Sequence, residues 1–169
     1  DSGVSADNGD GTAEFDPSDW SNGAVTVYVS CTKAHEAITF KMYIDSVEEG
    51  SATETVTWVP APLSYFTVSP DRLNPIAGQY INLTIIAYDT FGNVILSFDN
   101  EGHAITINQT GGSSPQSFSY IGTGVTDNSE GNASLSPSAW TDGETTVQVS
   151  NFVAHDDVVF YMRVDYSTN

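Results

Sequence analysis

Residues 80–88 read Tyr-Ile-Asn-Leu-Thr-Ile-Ile-Ala-Tyr, and this alternation of apolar and other residues predicts a β-strand. Successive side chains of a strand point to opposite faces, so every second residue shares a face. The apolar residues that share one face here are Ile81, Leu83, Ile85 and Ala87. A strand with this pattern packs one face on a core and turns the other toward solvent.

The same alternation continues on both sides of this strand. Residues 38–44 place Ile38, Phe40, Met42 and Ile44 on one face, and Val27 and Val29 indicate a strand before them. Turn residues separate these segments, and helical periodicity is absent, so the sequence predicts an all-β sandwich. Further strands are predicted at residues 53–59, 66–69, 93–98, 104–108 and 117–121.

A long internal match organises the chain. Residues 7–45 align without a gap with residues 127–165, at an offset of about 120 residues. We therefore predict tandem repeats, with residues 1–60 as the C-terminal part of one repeat and residues 61–169 as a second repeat that lacks its final strand. The large apolar residues retained in both copies are predicted to form the structural core: Trp20 and Trp140, Phe40 and Phe160, Met42 and Met162.

Three motifs carry a family resemblance. Phe66-Thr67-Val68-Ser69-Pro70, the strand at residues 83–89 and the turn Phe91-Gly92-Asn93 resemble those of bacterial and archaeal Ig-like surface repeats, in the filamin-like and invasin-like group. The resemblance implies an Ig-like β-sandwich in a secreted or cell-surface protein. Such repeats occur in S-layer proteins, sheaths, adhesins and the stalks of surface enzymes.

The strongly negative net charge of the chain restricts the classes of partner that it is expected to bind. The chain holds 22 acidic and 4 basic residues, for a net charge of -18. Nucleic acids and anionic lipid surfaces are bound through Lys and Arg, so neither is an expected partner. No apolar run is long enough for membrane insertion, and one Cys cannot form a disulfide framework. The expected partners are other copies of the chain or neighbouring repeats of the same array.

Two acidic turns are candidate calcium sites. Asp7, Asn8 and Asp10 offer closely spaced oxygen ligands, and Asp127, Asn128 and Glu130 repeat the pattern. The alternative is ordinary turn chemistry, because Asn and Gly accept a positive φ. No cofactor other than Ca²⁺ is expected.

Other polar residues have a functional and a structural interpretation. Asn82, Asn108 and Asn132 each begin an Asn-X-Ser/Thr sequon and are candidate glycosylation sites. His35 and His155 occupy the same repeat position, where a metal ligand is one interpretation and a turn held by packing is the favoured one.

The sequence predicts a structural protein and no enzyme. It contains neither a Gly-X-Ser-X-Gly elbow nor a phosphate-binding Gly-Lys-Thr loop. We expect a surface-layer, sheath, filament or stalk component. If the chain is a complete subunit, residues 53–59 or the half-repeat before them complete a neighbouring sandwich by strand addition; if it is an excerpt of a longer array, the same register follows from where the sequence is cut. The alternative is an adhesin or carbohydrate-binding module that presents Trp20, Trp140 or outward tyrosines to a ligand.

Overall fold

The computed structural model describes residues 6–111, 117–154 and 158–166. The chain divides into two compact units, Asp1–Thr32 and Lys33–Asn169. The repeat boundary between residues 60 and 61 stays a prediction. His155 lies outside the described residues.

The first unit contains short local elements. Strand β1 (Ala6–Asp7) pairs with β2 (Ala13–Glu14), and a 3-10 turn follows at Pro17–Asp19. Residues 25–31 have no regular secondary structure, although Val27 and Val29 predicted a strand there. The prediction of a strand at this position is wrong for this copy, because a strand forms only where partner strands satisfy its backbone groups.

The second unit begins with a two-stranded hairpin. Strand β3 (Ala37–Ile44) pairs with β4 (Val47–Thr57), and the register shifts between Lys41 and Tyr43. The turn between them uses a φ of 48° at Asp45 and 67° at Ser46. Two successive positive φ values give a turn whose twist suits a hairpin.

Eight further strands form two four-stranded sheets. One sheet has the order β5-β6-β11-β8 and the other β12-β7-β10-β9, and every pairing is antiparallel. The strands are β5 (Leu63–Pro70), β6 (Tyr80–Asp89), β7 (Ala104–Thr110), β8 (Phe118–Ile121), β9 (Val125–Asp127), β10 (Asn132–Leu135), β11 (Glu144–Asn151) and β12 (Val159–Asp165).

The core lies between these sheets. The predicted face of β6 is buried, since Leu83, Ile85 and Ala87 have no exposed surface and Ile81 is 6% exposed. Alternating residues of the other strands face them, which confirms the prediction of an all-β sandwich. The buried side chains of these strands include Ile105, Ile107, Phe118, Tyr120, Ala133, Leu135, Val147 and Val149.

The strand predicted at residues 93–98 is wrong. Those residues form turns and a single bridge from Val94 to Tyr88. The Ile95 N–H donates to the Ala87 carbonyl, and the Phe98 N–H turns back to the Ile95 carbonyl. Ile95 and Phe98 are both buried in the core, so the apolar residues of this segment reflect burial from turns and not an extended strand.

Candidate functional site

A buried carboxylate closes the turn that follows β6. Asp89 has no exposed surface, although it is charged and stands at a strand end. Its Oδ1 accepts hydrogen bonds from the N–H groups of Phe91, at 2.8 Å, and Asn93, at 2.9 Å. Its Oδ2 accepts from the Asn93 Nδ2 at 2.8 Å and from the Ala61 N–H at 3.0 Å. Four donors therefore satisfy the carboxylate.

These donors keep Asp89 ionised. Burial alone raises the pKa of a carboxyl group, because a charge loses its hydration. Around Asp89 the hydrogen bonds from Asn93, Ala61 and Phe91 outweigh that effect and lower the pKa to about 2. The group is therefore a fixed negative charge at neutral pH, and each donor makes a charge-assisted hydrogen bond to it.

The same turn holds the segments on both sides of the hairpin. The Ala34 N–H donates to the Asn93 Oδ1 at 3.0 Å, and the His35 Nε2 donates to the Val94 carbonyl at 2.7 Å. Ala61, which follows the hairpin, is the residue bonded to Asp89. We call this set the joint: Ala34, His35, Ala61, Asp89, Asn93 and Val94.

His35 shapes the joint from the hairpin side. It has a φ of 66°, and its N–H donates to the Trp58 carbonyl at 2.9 Å, which ties the two ends of the hairpin together. A positive φ is uncommon for a residue with a side chain, although His is among those enriched there. The structure thus places His35 at a turn, as predicted, but the residue is exposed, and hydrogen bonds to the Trp58 and Val94 carbonyls hold it instead of the predicted packing.

The joint fixes the hairpin to the sandwich through groups that are separated in sequence. Ala34 and Asn93 lie 59 positions apart, and Ala61 and Asp89 lie 28 positions apart. Its chemistry is that of a structural connection, because every described contact is made to a backbone group or to the Asn93 amide.

The predicted core residues fall in different environments. Trp140 is 8% exposed, donates its Nε1–H to the Asn100 Oδ1 at 2.6 Å, and packs with Phe66 and Phe98. Phe160 and Met162 are half-buried against the same core.

Their counterparts in the first copy are less covered. Trp20 is 40% exposed, and its ring packs against Phe15, with 6.4 Å between the centroids. Phe40 and Met42 are half-buried on the hairpin. The sequence predicted both tryptophans as core residues, and only Trp140 has the two sheets around it in the structure.

The acidic turns use their side chains locally. The Asp10 Oδ1 accepts from the Thr12 N–H at 3.0 Å and from its hydroxyl at 2.6 Å, and these bonds lower the pKa of Asp10. The Asp127 carboxylate accepts from the N–H groups of Ser129 and Tyr120. The bonds to Thr12 and Ser129 are local turn hydrogen bonds, and the bond from Tyr120 links β8 to β9.

The remaining candidate calcium ligands are placed as follows. The Asn8 Nδ2 donates to the Thr12 hydroxyl, the Asn128 Nδ2 donates to the Asn132 Oδ1, and Glu130 is exposed. The side chain of Asp7 lies outside the described residues. Among the described residues, no group of three or more His, Cys, Asp or Glu is arranged to hold a metal ion. Calcium at these turns stays a prediction.

The three sequon asparagines are also hydrogen-bonded within the chain. The Asn82 Nδ2 donates to the Asp71 Oδ2 at 2.9 Å, and the Asn108 Nδ2 donates to the Thr106 hydroxyl at 2.8 Å. Asn132 accepts from Asn128. A glycan on any of them would replace one amide proton, and their glycosylation stays a prediction.

Comparison with known proteins gives one similar structure. No protein-family model and no curated protein matches the chain. The solved structure of FdeC, a broadly conserved Escherichia coli adhesin that elicits protection against urinary tract infections, is 16% identical with a TM-score of 0.40. The match covers 76% of this chain and 36% of that one, so the chain spans about a third of the FdeC structure. None of the described helices has the length and apolar character to cross a membrane.

Sequence reasoning did not identify the joint. It used residues 83–89 and the turn Phe91-Gly92-Asn93 for fold resemblance alone. One available signal was an Asp placed directly after a buried strand and four residues before an Asn, since Asp and Asn close turns by bonding nearby backbone groups. The contacts with Ala34, His35 and Ala61 have no such local signal.

Proposed function

We propose that this chain is a non-catalytic structural part of a microbial surface protein. It consists of Ig-like β-sandwich repeats of about 120 residues in tandem, and it serves as a spacer, sheath, surface-layer or filament component. The observation that carries the proposal is the joint, in which buried Asp89 bonds the segment after the hairpin while Asn93 and Val94 bond the segment before it.

A connection of this kind suits a load-bearing role. Short, charge-assisted hydrogen bonds in a buried site resist separation more than solvated ones, because water does not replace them. The joint holds both strands of the hairpin near their ends, so a pull on the hairpin is transmitted to β6. The long internal match supports the same role, because adding similar units to an array makes a surface protein longer without changing the structure of each unit.

The acidic surface fits the same proposal. A net charge of -18 keeps neighbouring molecules apart in solution and protects exposed strand edges from random pairing. Assembly is then limited to complementary contacts. Ca²⁺ bound between copies is the cofactor we propose for conditions in which this repulsion must be reduced.

Single-molecule force spectroscopy tests the mechanical proposal. The chain is pulled between flanking marker domains, and we expect a force peak in which the sandwich of β5 to β12 unfolds. In Asp89→Asn, which keeps the size of the side chain, an additional release of the hairpin should occur at lower force. Asp142→Asn is the matched control, because Asp142 is an exposed turn residue with a φ of 50°, a conformation that Asn accepts. A wild-type chain that extends without a force peak contradicts the proposal.

A binding module is the second candidate function. Tyr65 is 45% exposed and stacks on Tyr88, with 5.1 Å between the ring centroids, and Phe91 is 57% exposed. Exposed aromatic rings stack on the apolar faces of sugars, so this surface favours a carbohydrate ligand. Screening the chain on a glycan array tests this alternative, with Tyr65→Ala expected to abolish any specific signal. Binding that persists in Tyr65→Ala contradicts this site.

A further inference from the structure

The outer edge of β8 forms one side of the sandwich. β8 stands last in the order β5-β6-β11-β8, and among the described strands it pairs with β11 alone. It lies beside β9 of the other sheet, whereas β5 and β12 meet at the opposite side of the sandwich. A strand edge presents backbone N–H and C=O groups to any other strand that approaches it, so natural proteins protect such edges.

The Asp127 carboxylate covers this edge. The Tyr120 N–H donates to the Asp127 Oδ2 at 3.0 Å, and since Asp127 belongs to β9, this N–H is turned away from β11. The Asp127 Oδ1 accepts from the Ser129 N–H at 2.8 Å, which holds the carboxylate in position. The Tyr120 hydroxyl donates to the Gly131 carbonyl at 2.9 Å, so the strand and the turn are bonded at two points. An approaching strand therefore finds the Tyr120 N–H already occupied.

The sequence of β8 carries no charge that would oppose pairing. Residues 104–126 contain no Lys, Arg, Asp or Glu, although the whole chain has a net charge of -18. β8 itself consists of Phe118, Ser119, Tyr120 and Ile121, three of which favour strands. Uncharged segments of this kind pair readily with copies of themselves, and natural sequences place charged residues beside them to prevent it. Asp127 is the first charged residue after this segment.

We propose that Asp127 is the guard of a self-pairing edge. With the carboxylate in place, the edge of β8 is closed to other strands. Without it, β8 pairs antiparallel with β8 of a second copy of this chain. A second copy is the occupant because two uncharged strands face each other without the repulsion that separates the acidic surfaces of two molecules. The guard keeps neighbouring molecules from merging side by side, whether the chain is a structural part or a binding module.

Removal of the guard tests the proposal. We expect Asp127→Ala to form dimers in sedimentation velocity at a concentration at which the wild-type chain is a monomer. Glu130→Ala is the first control, because it removes one exposed carboxylate from the same turn. Asn128→Ala is the second control, since it removes the turn bonds to Asn132 and Ser134 and keeps Asp127. Equal association of Asp127→Ala and either control, or none by Asp127→Ala, overturns the proposal.

A second substitution locates the contact on β8. Ile121 is 44% exposed at the end of β8, so a Lys side chain fits there without entering the core. Pairing of two β8 strands would then bring like charges together, which opposes association. We expect Ile121→Lys to return the Asp127→Ala chain to the monomer. Leu96→Lys is the matched control, because Leu96 is 46% exposed and lies outside β8. Dimers that persist equally in both double variants overturn this site.

Amide exchange measured by NMR gives a readout of the edge itself. At a concentration at which both chains are monomers, the Tyr120 N–H should exchange at least about tenfold faster in Asp127→Ala than in wild type, because its acceptor is gone. When the variant is concentrated, the same N–H should become protected again, since a second copy then accepts it. A Tyr120 exchange rate that the substitution does not change overturns the guard.

A measurement on the wild-type chain keeps the test independent of variant folding. A scalar coupling through the hydrogen bond should connect the Tyr120 amide nitrogen with the Asp127 carboxyl carbon. The coupling from the Ser129 nitrogen to the same carbon is the internal control, because that bond lies within the turn. Detection of the Ser129 coupling without the Tyr120 coupling overturns the proposal.

Discussion

The two matching segments of this chain share many residues and have different structures. In residues 127–165, Trp140 is 8% exposed, and Val147 and Val149 are 0% and 2% exposed. In residues 7–45, the corresponding Trp20, Val27 and Val29 are 40%, 37% and 49% exposed. The difference shows that burial at these positions depends on the strands around them, since the residues themselves are the same.

Local features survive in both segments. The 3-10 turn appears at Pro17–Asp19 and Pro137–Ala139, and the bridge from Ser21 to Ala24 is repeated from Thr141 to Glu144. Such features depend on contacts within a few residues, so the local sequence is sufficient for them. The strand that follows is different, because β11 pairs with β6 and β8 over its length.

Supplying partner strands to the first segment should remove the difference, and this is the largest effect we expect. A copy of residues 46–126 fused directly before Asp7 completes one repeat period. We expect residues 24–31 to become a strand, with amide exchange slowed about a hundredfold or more, and Trp20 fluorescence to shift to the blue. The same fusion with Leu83→Asp in the added copy should leave the segment unchanged. No change in the intact fusion would contradict our explanation.

The second-largest effect is expected from substitution of the two matched tryptophans, Trp140 and Trp20. Trp140→Ala removes a ring packed between Phe66 and Phe98 and leaves Asn100 with an unpaired acceptor. We expect a loss of about 3–5 kcal/mol in the free energy of unfolding, measured with urea. Trp20→Ala should cost less than about 1 kcal/mol, because its ring is only partly covered. Similar costs for the two would show that both rings are in equivalent cores.

Gly23 and Gly143, which occupy the same position in the two matching segments, test the difference in burial through backbone substitutions. Gly23 and Gly143 have φ values of 78° and 77°, so Ala at either is strained by about 1 kcal/mol. A Cβ at Gly143 would also lie 2.5 Å from the Ile95 carbonyl oxygen, whereas a Cβ at Gly23 meets nothing within 4 Å. We expect Gly143→Ala to cost about 3 kcal/mol and Gly23→Ala about 1 kcal/mol. Equal losses in thermal unfolding would contradict the clash.

The smallest effect concerns the joint and its dependence on pH. The pKa of Asp89 is lowered from 3.8 to about 2 in the folded chain, so its stabilising contribution is complete above about pH 4. That contribution is lost as the pH falls from 4 toward 2, because over this range the unfolded state binds a proton that the folded state, with its lower pKa, does not. Asp89→Asn should be less stable than wild type at pH 6, and the difference should shrink below pH 4. A constant difference between pH 6 and pH 2 would exclude this role for Asp89.

Sequence reasoning predicted much of the fold because β-structure leaves a period-two pattern. The alternation in residues 80–88 predicted both the strand and its buried face. The turn residues from Pro75 to Gly78 and from Asp99 to Gly102 predicted where strands are separated. The same reasoning failed at residues 93–98, where buried apolar residues in a turn resemble a strand. It also failed at Val27 and Val29, where the pattern is present but no described strand pairs with these residues.

The joint was beyond sequence reasoning for a different reason. Asp89 is one of twenty-two acidic residues, and nothing in the composition distinguishes it from the others. Acidic residues in turns are usually exposed to solvent. Its burial depends on the segment that carries the Ala61 N–H, which approaches from 28 positions away in the sequence. A long-range contact of this kind has no periodicity, so a pattern in one segment does not indicate it.

By itself, the sequence determined what depends on neighbouring residues: strand periodicity, turn positions, the internal match and the acidic character. The tertiary structure decided what depends on distant partners. It selected Trp140 over Trp20 for the core and placed a charged Asp89 away from water. The physical reason is that a strand acquires its hydrogen bonds and its covered face only from other strands, so identical residues are exposed where no described strand packs against them.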